Sequence, residues 1–166
     1  MKEKIAQLKN KILLSIFIIT ICFLTDRISK IYIINYFIEN NLSDLYLNPY
    51  LNFILLWNKG IAFGLLESES FFYNFLSILI FMIIVFIIYL IFKSDRKFEI
   101  VCFSMISGGA LGNFVDRVYY NAVPDFIDLH YKVFHWFTFN VSDIWITLAI
   151  IMLLIFDIFK TKIDKQ

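Results

Sequence analysis

Ser104-Met-Ile-Ser-Gly-Gly-Ala-Leu-Gly-Asn-Phe-Val-Asp-Arg117 begins as a membrane span and ends in an amide, an acid and a base. Ser104, Gly108, Gly112 and Asp116 recur every fourth position, so they share one helix face. Three small residues on that face let a neighbouring backbone come close, and the same face carries Asp116 to the membrane edge, where Arg117 can pair with an acid. A small-residue face alone is ordinary helix packing. The residues that follow change its meaning, because Asp125, Asp128, Asn140 and Asp143 lie between this span and the next apolar run. Carboxylates and amides that go unpaired next to lipid cost several kcal/mol each, on the order of a lost buried hydrogen bond or more. Gathered so densely, they read as a site.

The rest of the chain explains why lipid is the relevant solvent. Its 166 residues are 60% hydrophobic and include 20 Phe, and the mean hydropathy is +0.76. The uncharged runs are too many and too long for one soluble core, which makes this an all-α polytopic membrane protein with four transmembrane helices, expected near 12–37, 71–92, 98–118 and 141–159, in one membrane-embedded domain spanning 1–166. The first run, Ile12 to Thr25, would rise only about 21 Å, short of the roughly 30 Å hydrocarbon core, so its helix should continue through Asp26 and Lys30 toward Phe37. A basic head precedes it, as in a secretory signal. No small-x-small cleavage pattern follows, which predicts an uncleaved first helix. Residues 38–70 contain no span. There Tyr50 to Trp57 is aromatic and β-prone, and Asn58-Lys-Gly60 is a turn signal before Ile61, Ala62, Phe63 and Gly64; together they predict a small β-containing platform on the bilayer surface between helices 1 and 2. An ordered loop with aromatic anchors would share these features. Glu67, Ser68, Glu69 and Ser70 supply cap-like residues before the second span, and 119–140 reads as a loop.

Charge placement orients the chain. Lys2, Lys4, Lys9 and Lys11, then Lys93, Arg96 and Lys97, then Lys160, Lys162 and Lys165 all fall on one side; only Arg27, Lys30, Lys59, Arg117 and Lys132 lie elsewhere. The positive-inside rule then places both termini in the cytoplasm and the polar cluster at the extracytoplasmic face. Cys22 and Cys102 sit in apolar runs without CxxC spacing, so neither a metal site nor a disulfide is expected. His130 and His135 lack an HExxH pattern and read as interface residues, and no cofactor is implied.

Asp26 and Lys30 are four apart, acid before base, so they can pair on one helix face. Such a pair would serve equally to make a marginal helix insertable or to shape a site. Asp125 follows the outer end of the third helix and Asp143 opens the fourth, so short antiparallel connectivity brings both to one membrane face. Two carboxyls sharing a water can act as base and acid, as in aspartic proteases, although helix capping or ion pairing also accounts for isolated interfacial acids. A transporter would more often carry charges at mid-membrane in several helices, and a scaffold gives no reason for Asp125 and Asp143 together.

Taken in order, Asp26 to Lys30, Asn58-Lys-Gly-Ile-Ala-Phe-Gly64, Gly108-Gly-Ala-Leu-Gly-Asn-Phe-Val-Asp-Arg117, Val123-Pro-Asp-Phe-Ile-Asp128 and Phe139-Asn-Val-Ser-Asp143 resemble the motif series of the lipoprotein signal peptidase (signal peptidase II) family. The resemblance covers nearly the whole chain. It implies an intramembrane aspartic endopeptidase of the bacterial inner membrane, cleaving prolipoproteins before the diacylglyceryl-modified cysteine. It also implies Asp125 and Asp143 as the catalytic pair, with Asn58, Asn113, Arg117, Asn140, Asp26, Lys30 and Asp116 binding substrate or supporting the site. Metal and nucleic acid are not expected as partners; membrane lipid and prolipoprotein substrates are, with the enzyme acting as a monomer.

Three positions depart from the family pattern. Asn121 stands where Gly is frequent, and Asn tolerates the left-handed conformation. Ser142 replaces a common Ala before Asp143, and Pro124 fixes chain direction before Asp125. With Asn140 as N-cap, Asp143 lies in the first turn of the fourth helix, whose dipole favours the charged form; Asp125 has no such aid. Asp143 is therefore expected as resting base and Asp125 as protonated acid.

Overall fold

The computed structural model describes residues 2–60 and 70–163. Within them, four helices are long and apolar enough to cross a membrane: α1 (Lys2–Glu39), α2 (Ser70–Lys93), α3 (Lys97–Tyr120) and α4 (Val141–Ile163). α1 begins at Lys2 rather than near Ile12, because the lysine-rich head is itself good helix-forming sequence and continues the helix beyond the apolar run. Its 38 residues exceed what a bilayer core of about 30 Å requires, so it projects past the apolar layer.

α3 is the centre of the bundle and packs on α1, α2 and α4. Ser104, Gly108, Gly112 and Asp116 are all buried. Two glycines explain the closeness. A Cβ at Gly108 would lie 2.7 Å from the Cβ of Cys22 and 2.8 Å from the Ile19 carbonyl oxygen of α1. At Gly112 it would collide with the Asp26 carboxylate and come within 2.5 Å of Ser142 Oγ, so α1, α3 and α4 converge on one bare backbone position. Large apolar side chains such as Phe17, Met82, Phe86 and Leu154 point outward, the arrangement of a bundle whose solvent is lipid.

Four antiparallel strands, β1 (Asp44–Asn48), β2 (Leu51–Asn58), β3 (Val123–Tyr131) and β4 (Phe134–Phe139), form a sheet in the order β1-β2-β3-β4. The platform between α1 and α2 is thus half of a larger sheet. Residues 123–139, read from sequence as loop, form its other half, with Asp125 on β3. Pro124 and three polar residues obscured that strand; its ladder comes from β2, far away in sequence, a pairing that local pattern does not encode. Within the first hairpin, the tight turn lies between β1 and β2, where the Tyr50 N–H donates to Asn48 Oδ1 at 2.9 Å. Asn58 ends β2, and the Gly60 N–H donates to its Oδ1 at 2.8 Å with Gly60 at φ 91°. Ile61 to Gly64 and Glu67 to Glu69 lie outside the described residues.

The sheet docks on the Glu39 end of α1, where Ile33 and Phe37 meet Phe126 of β3. Its far edge is bare: Trp136 on β4 is 71% exposed and Val133 at the hairpin tip is 94% exposed. Asn121 closes α3 in the left-handed conformation, φ 55°, with its N–H donating to the Arg117 carbonyl.

Candidate active site

The start of α4 builds half of the site. Asn140 precedes the helix, the Asp143 N–H donates to Asn140 Oδ1 at 3.2 Å, and the Asn140 N–H donates to Asp143 Oδ2 at 3.2 Å. This reciprocal cap satisfies two backbone donors and leaves Asp143 Oδ1 to face the bundle. There it accepts from Asn113 Nδ2 of α3 at 2.8 Å.

β3 brings the other acid. Asp125 pairs in register with Leu56 of β2, just past a bulge between Phe53 and Leu56, and is 2% exposed. Asn58 Nδ2 donates to Asp125 Oδ2 at 2.8 Å, and Asn140 Nδ2 donates to Asp125 Oδ1 at 2.6 Å. Asn140 therefore grips both acids, one through its side chain and one through its backbone. Burial pushes the Asp125 carboxyl up to about 6. The amides of Asn58 and Asn140 oppose that rise, while the charge of Asp143 adds to it and Lys30 pulls against it.

Beneath the acids lies an ion cluster between α1 and α3. Lys30 Nζ, fully buried, donates to Asp26 Oδ2 at 2.9 Å and Asn113 Oδ1 at 2.8 Å, and pairs with Asp116 Oδ2 at 2.7 Å. Arg27 closes on the other oxygen of Asp116. The Ser142 N–H donates to Asp26 Oδ1 at 2.9 Å, tying α4 to the cluster. Two acids and two bases balance, as burial in a low-dielectric bundle demands.

Sequence spacing had suggested that Arg117 pairs with an acid at the end of α3, with Asp116 its immediate neighbour. Successive helix residues point in different directions, and the structure sends Asp116 to Arg27 and Lys30 while Arg117 turns elsewhere. Arg117 Nη1 donates to the Asn113 carbonyl at 3.4 Å, Tyr73 Oη donates to the Arg117 carbonyl at 2.7 Å, and Arg117 Nε is buried without a partner among the described residues. It lies within reach of the charges of Asp125 and Asp143. Arg27 is the participant that sequence reading missed. Its neighbour Asp26 is the one signal that could have drawn attention to it, but the contact spans α1 to α3 and leaves no local pattern. His130 and His135 stand apart from the acids, stacked on each other, with His135 Nδ1 2.8 Å from the buried Asp128 Oδ2.

Fold and site together define a multi-pass membrane protein in which a strand and a helix start hold two aspartates side by side, with three asparagines pointed at them. Residues 18–159 match the family described as Signal peptidase (SPase) II. A lipoprotein signal peptidase of Pelagibacter ubique (strain HTCC1062) is 47% identical over 147 residues, 88% of this chain and 88% of that one. Another, from Anaplasma phagocytophilum (strain HZ), is 36% identical over 151 residues, 91% and 96% of the two chains. A bacterial membrane enzyme solved by the in meso method at 2.3 Å resolution superposes with a TM-score of 0.67 at 28% identity, covering 95% of this chain and 92% of that one. The chain belongs to the signal peptidase II family.

Proposed function

We propose that this protein is an aspartic endopeptidase that removes the signal peptide of prolipoproteins, cutting before the diacylglyceryl-modified cysteine, with Asp125 and Asp143 as its catalytic residues. The observation that carries the aspartic chemistry is Asn140 holding both carboxyls at once. Family membership carries the substrate.

In this reading a water lies between the acids. Asp143, in the first turn of α4, acts as the base and takes a proton from the water as the water oxygen attacks the scissile carbonyl carbon. Asp125, the carboxyl displaced toward neutral pH, gives its proton to the carbonyl oxygen. In the collapse of the tetrahedral diol Asp143 gives its proton to the leaving nitrogen as the C–N bond breaks, and Asp125 takes back a proton from a diol hydroxyl as the C=O bond re-forms. Asn58, Asn113 and Asn140 hold the pair without adding charge, and Arg117, whose buried Nε has no partner among the described residues, is the candidate to meet substrate. Lysine and arginine placement supports cytoplasmic termini and an extracytoplasmic site in the bacterial inner membrane. We further propose a single membrane-embedded domain working as a monomer, with the sheet as the surface on which substrate rests.

The test is cleavage of a diacylglyceryl-modified prolipoprotein by the purified protein in detergent, beside Asp125→Asn and Asp143→Asn. Wild-type cleavage before the lipidated cysteine, lost in both variants, is expected. Cleavage by either variant at the wild-type rate would refute the pair.

A further inference from the structure

The three asparagines at the site share a constraint. Asn58 Oδ1 faces the Gly60 N–H at 2.8 Å, Asn140 Oδ1 faces the Asp143 N–H at 3.2 Å, and Asn113 Oδ1 faces the Lys30 ammonium at 2.8 Å. Each oxygen thus lies against a group that only donates, which turns the NH2 end of each amide toward a carboxylate. Two of these locks are backbone N–H groups close in sequence, present whenever the local turn or helix start forms. The third is a side chain from another helix, 83 positions away and completely buried.

Lys30 has an evident structural task, since it lies between Asp26 and Asp116. That task does not require it to reach Asn113. Asp116 has Arg27 as a second base and Asp26 has the Ser142 N–H, so the acids share their partners, whereas Asn113 Oδ1 has Lys30 as its donor. Turned over, the Asn113 amide would set its oxygen against the Asp143 carboxylate and its NH2 against an ammonium, losing both contacts. We propose that Lys30 is a positioning residue for catalysis: it locks Asn113 in the one amide orientation that donates to Asp143. This rests on the reading of Asp143 as the base.

The experiment removes the lock while keeping the charge balance. Lys30→Met alone would leave buried acids short of a cation. Lys30→Met combined with Asp26→Asn restores the balance and keeps an acceptor for the Ser142 N–H. Compared with Asp26→Asn alone, the double variant should melt within about 5 °C and keep KM within about threefold, while kcat falls about 100-fold, the scale of a misplaced catalytic group. A purely structural lysine predicts no difference in kcat between the two, and that result would overturn the proposal. Should the double variant fail to fold, Asn113→Asp decides: it keeps an oxygen for Lys30 and offers Asp143 no N–H. A kcat lowered about 100-fold in a protein that melts like wild type supports the lock, and an undiminished kcat overturns it. Asp143→Asn in the same assay separates the two claims. If that variant cleaves, the reading of the base has failed; if it is dead while the double variant matches Asp26→Asn, only the positioning has failed.

Discussion

Two groups of charges lie within a few side chains of each other and are treated in opposite ways. Asp26, Arg27, Lys30 and Asp116 compensate charge with charge and are sealed among three helices. Asp125 and Asp143 are met by neutral amides, carry a net negative balance, and sit at the junction of sheet and bundle. A buried acid with an ionic partner has its proton affinity tied to that partner and is chemically quiet. An acid hydrogen-bonded by amides and without an ion-pair partner among the described residues keeps a proton that can be moved, so the second group is suited to reaction and the first to holding shape.

The sharpest way to break this comparison is to neutralise the acids. Asp125→Asn and Asp143→Asn should each lower kcat by about a thousandfold or more, and the double variant should be no worse than the poorer single, since the pair acts as a unit. Unfolding free energy in mixed micelles should change little. Additive losses would mean that the two acids work separately. Asp116→Ala should do the reverse in kind, stranding Arg27 and Lys30 with one acid and destabilising the fold by about 3–5 kcal/mol, read in the same unfolding titration. A melt like wild type would show that the cluster is not structural.

Next in size is a pH effect. Asp125 is raised, so it holds its proton below about pH 6 and loses it above, and kcat/KM should fall on the alkaline side of that value. The Asn58 amide favours the ionised form, so Asn58→Ala should hold the proton to higher pH and move that limb upward. A limb that stays put would place the titration elsewhere. The smallest effect belongs to His135, half-exposed over Asp128: His135→Ala should cost less than about 1 kcal/mol and leave the pH limb in place.

Much of this was legible in the chain because it is written at helical spacing. The face Ser104, Gly108, Gly112, Asp116 predicts the tight packing of α3, and the pair Asp26 and Lys30 forms where four-residue spacing puts it. Asn140 as cap with Asp143 in the first turn is equally local. What sequence hid is whatever depends on a distant partner. β3 exists because β2 pairs with it across the bulge at Phe53, and Arg27 matters because α3 happens to present Asp116 to it. Neither relation leaves a periodic trace.

The grip of Asn140 on both acids has one more consequence. Membranes differ in thickness, and helices answer by tilting against one another. Asn140 joins β4 to α4, and β4 is zipped to β3 through Ile127 and Phe139, so one residue and a short ladder tie the two carboxyls to the sheet, while Asn113 of α3 holds Asp143 from the bundle side. On the proposed mechanism the sheet steadies the pair as the helices tilt, and lipid composition should alter how readily a substrate arrives more than how fast it is cut.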